Sequence, residues 1–154
     1  MSVRYPAPLG KMEDQKTVPS GTRVKYLSPA TVNLFLKVLS KRPDGYHELS
    51  TLMQPVSLYD ELFISVTEGR GITVRAGAEN VPDGEENLAW RAARLVMDRT
   101  VEKKVSIEII KKIPVGAGLG GGSSDAATTL MAVNTLLGAG LSDGELMDLG
   151  AKLG

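Results

Sequence analysis

Pro114-Val115-Gly116-Ala117-Gly118-Leu119-Gly120-Gly121-Gly122-Ser123-Ser124-Asp125 is the stretch on which the reading of this chain turns. Five of the seven residues 116–122 are glycine. Without Cβ atoms, such a backbone can approach a ligand closely and turn successive N–H groups toward it. Just upstream, residues 104–110 alternate apolar and polar side chains, the period of a half-buried strand. Downstream, residues 123–137 are rich in Ala and Leu and read as a helix. The first turn of such a helix offers unpaired N–H groups and the positive end of its dipole. Ser123 and Ser124 add hydroxyls able to reach a phosphate or a magnesium ion. A glycine cluster by itself is equally a flexible turn followed by a Ser N-cap. Its placement between strand and helix favours a cradle for phosphate oxygens.

Three familiar phosphate loops fail against this stretch. Gly116, Gly118 and Gly121 satisfy G-x-G-x-x-G, but a dinucleotide fold needs a second strand after the helix, and another helix pattern follows here. A Walker A loop requires Gly-Lys-Ser/Thr, and the loop has no lysine. The protein-kinase loop lies between two strands near the chain start and precedes Val-Ala-Ile-Lys, which is absent.

Farther out, residues 1–22 hold Pro6, Pro8, Gly10, Pro19 and Gly21 among scattered charges, and read as a flexible extension. Residues 24–27, 32–39, 49–56, 61–67 and 71–75 are apolar and β-rich, and each predicts a strand. Lys41-Arg42-Pro43-Asp44-Gly45-Tyr46 is a turn, with Pro presetting φ and Gly accepting a positive one. Leu88, Ala92, Leu95 and Val96 recur at helical spacing and predict a helix over 87–99 with Asn87 as its cap. Ser142-Asp143-Gly144-Glu145 carries a capping box and opens a last helix. Strands first and helices later point to an α+β domain with a mixed β-sheet packed against helices.

Composition narrows the chemistry. With 154 residues, 42% hydrophobic and 23% charged, the chain suits one ordinary globular domain. Eighteen basic residues balance eighteen acidic ones, which argues against nucleic acid as a partner. There is no cysteine and a single histidine, His47, so disulfides, a thiol nucleophile and a Cys- or His-built metal centre are excluded. No metal ligand is assigned. No apolar run approaches the roughly 20 residues that span a bilayer. The polar N-terminus lacks a signal-peptide core, so a cytoplasmic protein is expected.

Pro-x-Gly-x-Gly-Leu-Gly-x-Gly-Ser-Ser between strand and helix resembles the ATP loop of the GHMP kinases. Two further motifs extend the resemblance: Ser28-Pro29-Ala30-Thr31-Val32-Asn33-Leu34-Phe35-Leu36, and Arg42-Pro43-Asp44-Gly45-Tyr46-His47-Glu48-Leu49. Together with Glu86-Asn87-Leu88 and Arg91-Ala92-Ala93, they are similar to one branch of that family. This branch phosphorylates the 2-hydroxyl of 4-diphosphocytidyl-2-C-methyl-D-erythritol in the non-mevalonate isoprenoid pathway. The resemblance covers residues 24–154. It implies a GHMP kinase N-terminal domain over 23–154, of the ribosomal protein S5 domain 2-like fold, with ATP and Mg2+ as cofactors.

Carried over by position, the resemblance places residues 114–124 around the ATP phosphates. It places Asn87 by the adenine, and Lys111 near the nucleotide charge. Asn33 would lie beside the accepting hydroxyl, while Tyr46 stacks on the cytosine and His47 hydrogen-bonds it. Plainer readings exist for each. Asn87 serves equally as a helix cap, Lys111 as a solvated strand charge, Asn33 as a strand-end residue, Tyr46 as a turn cover and His47 as a structural side chain.

Two departures from the family pattern matter. Thr31 occupies the position of the family's catalytic lysine, and a hydroxyl cannot supply that positive charge. Neither Lys25 nor Lys37 stands at the motif position. The family's catalytic aspartate follows the last helix in Gly-Ala-Asp-Val-Pro, whereas this sequence closes on Leu149-Gly150-Ala151-Lys152-Leu153-Gly154. The expectation is therefore a domain that lacks the family's C-terminal half and is inactive alone. The alternative is a degenerate module that binds nucleotide or a protein partner without catalysis. RNA binding, suggested by the ribosomal-protein likeness, is disfavoured by the balanced charge and the scarcity of Phe and Trp.

Overall fold

A computed structural model describes residues 19–41, 45, 47–98 and 103–153. Its elements in chain order are β1 (Val24–Lys41), β2 (His47–Glu68), β3 (Gly71–Arg75), α1 (Leu88–Met97), β4 (Lys103–Ile110), α2 (Gly121–Leu137) and α3 (Asp143–Gly150), with a short 3-10 turn, Gly84–Glu86, before α1. The four strands form one sheet in the order β1-β2-β4-β3. β1/β2 and β2/β4 pair antiparallel, and β3/β4 pair parallel. A parallel pair needs a long crossover, and α1 provides it between β3 and β4. The mixed sheet with helices is the α+β arrangement expected from the sequence.

The core follows from the strand and helix periods. Val105, Ile107 and Ile109 alternate inward along β4 and meet Leu62 and Ile64 of β2 and Val74 of β3. Ala89, Ala92, Ala93 and Val96 of α1, with Ala126, Leu130 and Val133 of α2 and Leu149 of α3, close over them. Alanine at the helix contacts lets the axes approach closely, so little volume is left unfilled between layers. Trp90 packs at the margin and donates its indole N–H to the Ile72 carbonyl, 3.2 Å away.

Four expectations are corrected. Residues 24–27 and 32–39 belong to one 18-residue strand, and residues 49–56 and 61–67 to one 22-residue strand. Ser28, Pro29, Ser57 and Asp60 interrupt the apolar runs, and a proline removes a ladder donor. Instead, Pro29 sits at a register shift between Pro29 and Ala30, on an edge strand where a missing donor is tolerated. The loop helix begins at Gly121, not Ser123, because two glycines join its first turn. Helix α1 ends at Met97, and residues 99–102 lie outside the described residues. The same holds for Tyr46, for Arg42, Pro43 and Asp44 of the turn, and for residues 1–18 of the extension.

Beyond the Thr31↔Pro55 pair, β1 and β2 run on as a two-stranded ribbon to Lys41↔His47. Leu34, Phe35, Leu36, Val38, Leu39, Leu49, Leu52 and Met53 are all exposed along it. Core and ribbon should therefore respond differently to truncation. Leu62→Ala, at a position with no exposure, is expected to lower stability by about 2–5 kcal/mol. Leu36→Ala, 53% exposed, should change it by no more than about 0.5 kcal/mol. Urea unfolding of the two variants checks the contrast, and equal losses would mean that the ribbon is packed.

Candidate functional site

The cleft between the loop and the start of α1 has a volume of about 380 Å3, within the range of ligand pockets. One wall is formed by residues 80–82 and 86–88, the other by the glycine loop from Pro114 to Ser123, with Lys111 and Asp125 also lining it. The glycine-loop residues thus gather as expected, together with Asn87 and Lys111. Ser124, between Ser123 and Asp125, does not itself line the cleft and is tied to β1 by its hydroxyl.

The loop is held from β1. Thr31 N–H donates to the Leu119 carbonyl at 2.9 Å, and the Ser28 hydroxyl to Ser124 Oγ at 2.9 Å. These contacts explain why a motif near the chain start accompanies a loop some ninety residues later: the strand braces the loop's tip and the first turn of its helix. Gly120 is the N-cap of α2, with φ of +68°, and a Cβ there would come within 2.9 Å of Thr31 Oγ1. A Cβ on Gly121 would press on Ile113 at 3.1 Å. The backbone is therefore closely seated on β1 at its rear, while Gly116 and Gly118 have open space where a Cβ would stand.

Beneath the loop lies a buried ionic triad that sequence reading missed. Glu61 pairs with Ile110 in the β2/β4 ladder, so Asp60 falls opposite Lys111, the residue after β4. Asp60 is fully buried, and it accepts from Lys112 N–H at 2.6 Å, Ile113 N–H at 2.8 Å and the Lys111 ammonium. It thereby fixes the backbone from which the loop departs. Lys111 also donates to Asp125 Oδ2 at 2.9 Å, and its side chain is 8% exposed. The reading of Lys111 as a solvated strand charge is overturned: it follows the strand and is buried between two carboxylates. Burial acts to lower its pKa, but hydrogen bonds to Asp125 and Asp60 prevail and raise it. For Asp125, burial prevails over Lys111 and the nearby Ser28 hydroxyl, and its pKa is raised. The only sequence sign of the triad was an aspartate between two apolar runs, which reads as a turn.

Asn87 has its polar atoms engaged. Its Oδ1 accepts from Ala89 N–H at 2.9 Å and its Nδ2 donates to the Pro82 carbonyl at 2.8 Å. The cap reading is present in the structure, and the same residue shapes a cleft wall. Asn33 and His47 are not brought to the cleft. Asn33 lies on the ribbon, where its Oδ1 accepts from Thr51 Oγ1 at 3.1 Å. His47 begins β2 and is exposed, roughly 30 Å along the strand from Thr31 at ordinary rise per residue. Lys25 pairs with Glu61 at 2.9 Å, as does Lys112 at 2.6 Å, so neither is free to replace the positive charge missing at Thr31. Among the described residues there is no group of three or more His, Cys, Asp or Glu able to hold a metal, and no helix long and apolar enough to cross a membrane.

Comparison with known proteins converges on one family. Residues 87–154 match the family described as GHMP kinases N terminal domain. The chain is 57% identical, over 133 residues, to the 4-diphosphocytidyl-2-C-methyl-D-erythritol kinase of Geobacter sp. (strain M21), covering 86% of this chain and 48% of that protein. A crystal structure of 4-(cytidine 5'-diphospho)-2C-methyl-D-erythritol kinase superposes with a TM-score of 0.71 at 43% identity, over 85% of this chain and 46% of the other. The homoserine kinase of Cytophaga hutchinsonii shares the fold, with a TM-score of 0.62 at 21% identity over 94% of this chain and 42% of the other. The chain spans about half the length of the curated relatives it matches.

Proposed function

We propose that this chain, whose residues 87–154 match the GHMP kinases N terminal domain, supplies the ATP-holding half of a kinase that phosphorylates the 2-hydroxyl of 4-diphosphocytidyl-2-C-methyl-D-erythritol. The observation that carries this reading is the seated glycine loop. At Gly120 a Cβ would meet Thr31, so the loop is pressed against β1, while Gly116 and Gly118 line the cleft with no Cβ in the open space before them. Loop N–H groups and the dipole of the 17-residue α2 suit the phosphates of ATP. Phosphoryl transfer asks a protein mainly for such positioning and charge stabilisation.

In this proposal residues 114–124 cradle the ATP phosphates. Asn87, its amide already engaged, shapes the base end of the cleft, and Lys111 acts through Asp60 and Asp125, the carboxylates it holds. Asn33 and His47, on the ribbon, hold the substrate together with Tyr46. When bound, Mg2+ would neutralise phosphate charge, and the oxygen-rich first turn of α2, with Ser123, Ser124 and Asp125, fits a hard cation. The protein would act in the cytoplasm on a small molecule, not on nucleic acid or membrane.

Thr31 favours a second reading, nucleotide binding without transfer. Its hydroxyl faces Gly120 at the position where the family carries lysine, and the neighbouring lysines are occupied by carboxylates. Two measurements separate the readings. Calorimetric titration of the chain with a non-hydrolysable ATP analogue should show saturable binding, and its absence would remove both. A transfer assay should then compare this chain with a form carrying Thr31→Lys fused to the C-terminal half of the Geobacter relative. Phosphorylated product only from the fused form supports the kinase reading. Product from the unmodified chain would show that Thr31 does not disable it. Binding without product in either form would leave the nucleotide-binding module.

A further inference from the structure

Asp125 Oδ1 is, among the described residues, the one buried side-chain oxygen or nitrogen with no hydrogen-bond partner. Leaving a buried carboxylate oxygen unpaired is costly, and native structures seldom do so without a reason. The charges around it do not balance either. Lys111 brings one positive charge to two carboxylates, and Asp60 is already served by that ammonium and by two backbone N–H groups. Asp125 receives Lys111 on Oδ2 at 2.9 Å and the partial positive charge of its helix end, while the Ser28 hydroxyl beside it is directed at Ser124 Oγ. Its raised pKa follows from burial prevailing over Lys111 and Ser28. The residue is 4% exposed, yet it lines the cleft beside Lys111, Gly121, Gly122 and Ser123.

A partner for that oxygen must be a cation or a donor able to reach a site built for phosphate. Phosphate oxygens are excluded, since a carboxylate repels them. A free metal ion is also a poor fit: the described residues hold no group of three acidic or imidazole ligands. Magnesium prefers one or two carboxylates, with phosphates and water in its other positions. We propose that Asp125 is a divalent-cation ligand of the nucleotide-loaded site, its Oδ1 occupying one position on a Mg2+ that arrives with the nucleotide phosphates. The inference rests on the nucleotide reading above and adds a residue role to it. Asp125 couples metal to nucleotide while Lys111, on the other oxygen, holds the carboxylate in place.

Titration calorimetry of the chain and of Asp125→Asn with a non-hydrolysable ATP analogue, each with and without Mg2+, tests the role. In the unmodified chain Mg2+ should tighten binding by about tenfold or more. In Asp125→Asn that gain should vanish, and metal-free binding should equal or exceed that of the unmodified chain, because one negative charge is gone. A variant that keeps the full Mg2+ gain would overturn the assignment while leaving nucleotide binding intact. No binding by the unmodified chain under either condition would instead remove the nucleotide reading and this inference with it. A second measurement needs no variant. Mn2+ added to the isotope-labelled chain with the analogue should broaden the amide signals of residues 120–125, and Mn2+ alone should not. Unbroadened signals there, or broadening without nucleotide, would count against a metal that is delivered with the phosphates.

Discussion

Lys111→Met is expected to destabilise the chain by about 3–5 kcal/mol at neutral pH, the usual cost of stripping a buried charge of its partner. The side chain is 8% exposed, and its ammonium is shared by Asp60 and Asp125, with side-chain exposures of 0% and 5%. Methionine fills most of the volume, so the loss reports the charge and not a cavity. Two carboxylates would then face each other without a cation, and the pKa of Asp125, already raised by burial, should rise further. A carboxyl group whose pKa is raised by folding binds more protons folded than unfolded. The stability it contributes is present below the unfolded value, near 3.8, and is lost as pH rises through the folded value. The deficit of the variant should therefore shrink as pH falls from 7 toward that value. In the unmodified chain Lys111 runs the other end of the scale. Its raised pKa gives stability that is complete below 10.5 and is lost only as pH rises beyond it. Asp60→Asn makes the comparison informative. It leaves a neutral Lys111–Asp125 pair, and a carboxamide oxygen can still accept from Lys112 and Ile113, so about 1–3 kcal/mol is expected. Urea unfolding at pH 7 and near pH 5 checks both. Lys111→Met no worse than Asp60→Asn, or a deficit that grows toward acid, would show that the triad is not held by its one cation.

The contrast between loop and triad also shows what a sequence discloses. The strand, glycine loop and helix were legible because everything the arrangement needs is local: a run of glycines, several of them at positive φ, with a strand before and a helix after. The capping box at Ser142 and Glu145 was legible for the same reason, and both of its hydrogen bonds are present. The triad joins residues 51 and 14 positions apart, and only the register of β2 against β4 brings Asp60 to Lys111. No spacing rule could have found it. The sequence pattern splits the strands at residues 28–31 and 57–60 because Ser28, Pro29, Ser57 and Asp60 interrupt the apolar runs, whereas the ladder continues through them with a register shift between Pro29 and Ala30. The site residues divide in the same way. Those on the loop gather by local chemistry, while Asn33 and His47 depend on what the ribbon meets, which the strand pattern does not contain.

Gly120→Ala and Gly118→Ala should separate the two duties of the loop. Both glycines have positive φ, +68° and +72°, where an L side chain costs roughly 1–2 kcal/mol. The surroundings then diverge. At Gly120 the new methyl would stand 2.9 Å from Thr31 Oγ1, against the strand that braces the loop through the Thr31–Leu119 hydrogen bond. Relief requires Thr31 to rotate or the loop to lift off β1, so Gly120→Ala should lose stability beyond the backbone cost. Thermal unfolding should show this clearly in the absence of ligand. At Gly118 nothing lies within 4 Å of the new methyl, and the residue lines the cleft. That variant should lose little beyond the backbone cost, yet bind the ATP analogue at least about tenfold more weakly, a loss of some 1.4 kcal/mol. A second comparison sharpens the assignment. Thr31→Ala with Gly120→Ala removes the Oγ1 that the new methyl would meet, and should recover part of the lost stability if crowding against β1 is the cause. Equal affinities in Gly118→Ala and the unmodified chain would mean that the ligand does not approach the loop backbone, and the phosphate-cradle reading would then have to be abandoned.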